Sequence, residues 1–326
     1  RQAAPLGITH PVAWARAFAT QFKVFMRGGY DNAIRVINSG PYAEMRREAG
    51  LFMGHAAEGN IGAHEEAIAS RLAGKVPGIK QSSRAYILML DKLRADVFDG
   101  IVRSWEKSGR PVTPEDLKSL AAYVNHFTGR GTGAALDQSG KYLAGGIFAP
   151  RYWVSKFQRI TDIGTATPAV RWKVAQSWAG WLGAWGSVGG LYYLATGDKE
   201  RFDPRSGMFG KVSIGKYSYD VSMGTATEAR AIARAATGER ITGAGKTVSA
   251  NRLGALQKMF RGKLSPAAGI LYDLLDGTDY NGNVIEVKAK PGLTAFAANH
   301  FGNLFMRDVY NAYKTEFKTG DISFGD

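Results

Sequence analysis

The chain has 326 residues, 45% of them hydrophobic, with 42 Lys and Arg against 28 Asp and Glu for a net charge of +14, and no cysteine. That apolar content builds a real core and excludes a disordered tail, while the length suits two domains or one large one. The absence of cysteine excludes disulfides, thiolate metal sites and thiol nucleophiles, and the basic balance serves solubility or an acidic partner, nucleic acid or an anionic membrane surface.

In chain order, the start Arg1-Gln2 carries no signal-peptide pattern and reads as cut from something longer. Residues 11–26 place Val12, Ala13, Ala15, Phe18, Phe22, Val24 and Phe25 mostly on one helical face. Residues 82–108 give the best helix signal, with Tyr86, Leu90, Leu93, Val97, Ile101 and Trp105 near 3.6 spacing; Asp91, Arg94, Asp96 and Asp99 are expected to face water or neighbouring helices. Gly109-Arg110-Pro111 ends that helix. Thr113-Pro114-Glu115-Asp116 starts the next with an N-cap, a first-turn proline and two acids. Glycine density rises over 128–146, then 152–160 and 168–196 read as helices.

Residues 174–197 run 24 residues without a formal charge and carry Trp178, Trp181, Trp185, Tyr192 and Tyr193. A helix of that length matches a hydrocarbon core of roughly 30 Å, although Gly180, Gly183, Gly186, Gly189 and Gly190 dilute its apolarity. A wholly buried core helix is apolar all round too, so the segment is expected either in the core or against lipid or another subunit. In the second case Trp178, Trp181 and Trp185 are the candidate contacts, with Gly186 and Gly190 as a small-xxx-small pair.

Within 210–221, Lys211 to Ile214 and Tyr217 to Val221 alternate around Gly215-Lys216 as a hairpin. Helices are expected over 225–236, 250–260, 265–275 and 293–317, with 237–247 as a flexible basic connector. The whole is mainly α, a multi-helix bundle with one small β-hairpin, and a composition change near 197–205 suggests regions 1–200 and 201–326.

Chemistry-bearing motifs are sparse. Thr242-Gly243-Ala244-Gly245-Lys246-Thr247 has the end of a phosphate-binding loop, but Arg240 stands where its first glycine belongs. Asp279-Tyr280-Asn281-Gly282-Asn283 fits a plain turn better than a calcium loop, which would put Gly277 and Lys288 at acidic ligand positions. Gly129-Arg130-Gly131-Thr132-Gly133 either offers amides to a phosphate or turns the chain between two helices. The five histidines lack metal-ligand spacing, the carboxylate pairs Glu65/Glu66 and Asp96/Asp99 read as solvated faces, and no Gly-x-Ser-x-Gly elbow supports a nucleophile. No cofactor or enzymatic centre is expected.

Four ordered strings carry a resemblance: Asn125-His126-Phe127-Thr128-Gly129-Arg130-Gly131; Phe148-Ala149-Pro150-Arg151; Asp203-Pro204-Arg205-Ser206 through Phe209-Gly210-Lys211 to Ile214-Gly215; and Arg261-Gly262-Lys263-Leu264-Ser265-Pro266. Over roughly residues 50–277 the chain resembles the C-terminal region of the large polyvalent proteins of bacteriophages and mobile elements, which include long virion-associated polypeptides that travel with the genome. Ser222-Met223-Gly224-Thr225 departs from the more apolar version in that family.

The resemblance implies no catalytic residue. It implies a non-enzymatic internal virion or ejection module near portal or tail, carried in the virion and delivered into the host envelope or cytoplasm. Its expected partners are other virion proteins, further copies of itself, and DNA or the host membrane. The alternative is a DNA-binding accessory module of a larger injected enzyme. Arg130 and Arg151 are then candidate phosphate contacts, against a structural role in capping helix carbonyls or pairing with Asp137 or Asp162.

Overall fold

The computed structural model describes residues 3–57, 78–133, 136, 146–147, 149–215, 217–222, 224–242, 245–264 and 266–278. Among these are eleven α-helices and two antiparallel two-stranded sheets. The chain divides into two units, Arg1–Ala144 with Ala149–Arg252, and Gly145–Phe148 with Leu253–Asp326.

The first unit is built around α5 (Ile79–Lys107), whose periodic apolar face of Leu90, Leu93, Val97, Phe98, Ile101 and Val102 is fully buried. The short helices α1 (Ala4–Thr9), α3 (Tyr30–Asn38) and α4 (Ala43–Glu48) went unmarked in sequence, being too brief to show a period. α2 (Pro11–Arg27) and α3 lie along α5. α6 (Pro114–Phe127) closes the other side with Leu120, Val124 and Phe127; it starts as expected, Thr113 Oγ1 accepting from the Asp116 amide at 3.1 Å. α7 (Pro150–Thr165) and α8 (Pro168–Thr196) follow, and Val170 and Val174 of α8 join the same core.

The hairpin forms in the expected register, β1 (Lys211–Ile214) pairing β2 (Tyr217–Asp220) with Ile214 opposite Tyr217. Gly210 before it has φ +74°, and a Cβ there would come within 2.9 Å of Ala226 and Ser222, so only glycine fits. Ser222 is buried and its hydroxyl accepts from the Ala226 amide at 3.0 Å, capping α9 (Ala226–Thr237). The polar departure in this string therefore has a job. Inside the expected connector the chain makes a second hairpin, β3 (Glu239–Ile241) with β4 (Thr247–Ser249), each strand too short to show alternation.

The composition change near 197–205 lies within the first unit, and both of its flanks belong to that unit. Arg201 is the joint: it bonds Asp198 at 2.8 Å, the Lys211 carbonyl at 2.8 Å and Ser213 at 3.0 Å, and lies over the Tyr192 ring. In the second unit α10 (Arg252–Arg261) and α11 (Pro266–Asp276) are tied by Arg261 to Asp273 and Asp276. The helix expected over 293–317 lies outside the described residues, as do Glu65, Glu66, Asp137 and the turn at 279–283.

Candidate cationic cleft and outward apolar faces

α6 ends at Thr128, whose hydroxyl turns back to the Val124 carbonyl at 2.8 Å, and Gly129 takes φ +84° to redirect the chain. The following loop and the first turn of α7 form one wall of a cleft of about 710 Å³; α4 and residues 50–55 form the other. Among the described residues four arginines line it, Arg46, Arg47, Arg130 and Arg151, and one acid, Glu44. Both predicted phosphate contacts thus share one cleft.

Much of that charge is spent on the protein itself. Arg46 is buried, donating to the Ile37 carbonyl at 2.7 Å and pairing with Asp99 at 3.3 Å. Arg151 donates to the Leu136 carbonyl at 3.0 Å and to the Gly131 carbonyl in the loop at 3.4 Å. The Arg130 guanidinium stacks on Phe52 at 3.8 Å from the ring centre. Neither Arg130 nor Arg151 takes Asp162 as its ion-pair partner; that carboxylate goes to His126. Arg47 remains the exposed cation at the mouth, beside Glu44.

Beneath the cleft lie two buried ionic joints, the first of them on the helix whose charges were expected to face water or neighbouring helices. Asp91 and Arg94 are 0% exposed. Asp91 accepts from the Gly54 amide at 2.7 Å, the His55 amide at 3.0 Å, His55 Nδ1 at 2.7 Å and Arg94 Nη1 at 3.3 Å. Four donors satisfy one carboxylate, which is what makes a buried charge tolerable. In the second joint His126 Nδ1 meets Asp162 at 2.8 Å and Nε2 meets the Thr132 hydroxyl at 3.0 Å, while Arg159 Nε donates to the His126 carbonyl at 2.8 Å. Burial lowers the Arg159 pKa to about 10.

Asp162, His126 and Thr132 stand in the order carboxylate, imidazole, hydroxyl that activates a nucleophile. An oxyanion needs free donors beside it, and the loop amides are taken: those of Gly129, Arg130, Gly131 and Thr132 bond the His126, Asn125 and Arg151 carbonyls and Gln158 Oε1. With four of the five amides of the 129–133 string so engaged, the structural turn is favoured over a phosphate nest. Gly131 passes so close to α7 that a Cβ would lie 2.5 Å from the Arg151 carbonyl.

The uncharged segment 174–197 falls almost wholly on α8, and it is neither wholly core nor a span: among the described residues no helix is long and apolar enough to cross a membrane. Trp181 is buried, and Trp178 packs on the core with its indole N–H on the Arg159 carbonyl at 3.0 Å, so these two face inward rather than towards lipid or another subunit. Trp185 is half-buried against Phe209. Gly186 and Gly190 do have open space above them. The exposed apolar residues of α8 are Trp172, Leu182, Val188, Leu191 and Leu194, the last at 81%.

α7 is turned inside out. Its buried side is Arg151, Ser155, Arg159 and Asp162; Phe157, Ile160 and Ile163 point outward. The spacing of those polar residues by four, four and three was a readable stripe, but a rule that puts apolar residues inside assigns it to water. Elsewhere, the Gly245 amide bonds the Thr242 carbonyl at 3.0 Å between β3 and β4, and Thr247 begins a strand and not a helix. Among the described residues no three His, Asp or Glu side chains converge as a metal site would require. No family model matches the chain, and neither a curated protein nor a solved structure matches it with significance.

Proposed function

We propose that this chain is a structural, non-enzymatic module of a bacteriophage internal virion or ejection protein, assembling with copies of itself and with other virion proteins near the portal or tail. The observation that carries this reading is the outward apolar side of α7 with the exposed C-terminal half of α8: a module working alone in water hides such residues, and contiguous exposed apolar surface marks a contact site. The four family-like strings support it in another way. Asn125, His126, Arg151, Arg205 and Arg261 in those strings serve as joints, Arg205 for instance clamping Asp203 at 2.7 Å and giving its carbonyl to Arg234 at 2.9 Å. The test is mass spectrometry of purified virions and of particles emptied of DNA. The protein is expected in the first and lost from the second; presence only in infected cytoplasm overturns the reading.

The cleft supports a second reading, a DNA-binding accessory module, through the exposed Arg47 at its mouth, with the more buried Arg130 and Arg151 adding positive charge behind it. Arg47 is then the principal contact, more than Arg130 or Arg151. DNA affinity should fall steeply between about 50 and 200 mM salt, and absence of binding at low salt excludes this role.

A further inference from the structure

α2 carries an apolar ridge of its own. Ala17 and Val24 are buried, with Ala13, Thr20 and Gln21 half-buried beside them, where the helix lies along α5. On the opposite side Trp14, Phe18, Phe22, Phe25 and Met26 are exposed, Phe18 at 49% and Phe22 at 61%, and Trp14 stacks on Phe18 with ring centres 5.3 Å apart. At about 100° per residue these five fall within an arc of roughly 120°. Arg16, Lys23 and Arg27 fall together on a third side, roughly 60–100° beyond the Met26 end of that arc, and residues 3–30 contain no acid at all. The helix is apolar on its inner and outer faces and cationic along a single flank.

We propose that this ridge docks on the surface of a bilayer bearing anionic headgroups, the aromatic side chains entering the headgroup and upper acyl region while Arg16, Lys23 and Arg27 meet lipid phosphates. Three features select that occupant. The exposed aromatic side chains stand along a single helix, and an interfacial helix sinks such a face to a depth of about 5–10 Å. Its cations complement anionic lipid, whereas a second copy meeting the same face brings an equally acid-free, positively charged helix in a chain of net charge +14. Tryptophan beside phenylalanine with flanking Arg and Lys is the composition of interfacial helices. The helix is 17 residues long and lies flat along α5, which suits lying on a membrane rather than crossing it.

This inference stands without the virion reading, and the two fail separately: a protein absent from virions that still binds these vesicles loses only the former. The experiment is co-sedimentation of the full chain with vesicles of phosphatidylcholine containing one quarter phosphatidylglycerol, against vesicles of phosphatidylcholine alone. Binding is expected to the anionic vesicles, at least tenfold weaker to the neutral ones. The double variant Phe18→Gln/Phe22→Gln, both on the exposed face, should lose at least tenfold in partitioning while keeping the wild-type melting curve. Arg16→Gln/Lys23→Gln/Arg27→Gln should erase the preference for anionic lipid. Leu191→Gln/Leu194→Gln on α8 should bind as wild type. The proposal is overturned if the wild-type chain ignores anionic vesicles, if the α8 variant and not the α2 variant abolishes binding, or if Phe18→Gln/Phe22→Gln converts a dimer to a monomer without changing vesicle binding.

Discussion

At the scale of single residues, stability rests on polar groups that had to be buried. Arg159 holds the His126 carbonyl and lies beside Asp162, at 5% exposure. Arg159→Ala removes one of two donors to that carbonyl, the Gly129 amide being the other, and the cation beside Asp162, and should cost about 1–3 kcal/mol in urea unfolding. Gly131→Ala should cost about 1–3 kcal/mol or more, because the obstacle is backbone and cannot rotate away. His10 gives a pH signature. Burial first, then the nearby Lys173 charge, lowers its pKa from 6.5 to about 4, so it is neutral in the fold. The unfolded chain binds more protons between those values, and stability is complete above pH 6.5 and falls as pH drops towards 4. The contribution is on the order of 3 kcal/mol at most, and His10→Asn should flatten that part of a melting-against-pH profile.

The helix is the scale at which sequence pattern was legible, and also where it misled. Long periodic stretches with caps, α2, α5, α6 and α8, lie where spacing and the Thr113 cap put them. Orientation was less legible, because patterning arguments send charge outward. α5 carries Asp91 and Arg94 into the core and α7 inverts its faces, both made possible by partners distant in sequence, such as His55 and Thr128 for the first and His126 for the second. Arg130 and Arg151 were singled out from two family-like strings and line one cleft, whereas Arg46 and Arg47 on the opposite wall come from a six-residue helix with no visible period. The glycines of α8 divide by environment. A Cβ at Gly180 would sit 3.0 Å from the Thr9 methyl, and Thr9 is held by its bond to the Pro5 carbonyl at 3.2 Å; Gly183 and Gly186 face open space. Gly183→Ala and Gly186→Ala should each stabilise the chain by up to ~1 kcal/mol in thermal denaturation. Gly180→Ala should give no such gain.

At the scale of the whole molecule, a surplus of positive charge coexists with apolar ridges on α2, α7 and α8 that the first unit leaves in solvent. Net charge away from zero opposes self-association, and exposed apolar faces of this kind are where contacts form. On the proposed reading α7 and α8 face other virion proteins and α2 faces lipid. The most direct test uses the absence of cysteine: Ile160→Cys on the outer face of α7 places a single thiol in the chain, and its rate of maleimide labelling can be followed in the isolated protein and in intact particles. Rapid labelling is expected in the isolated protein, with at least tenfold protection in the particle that is relieved once the DNA has left. Equal labelling in both would contradict a virion contact at this face.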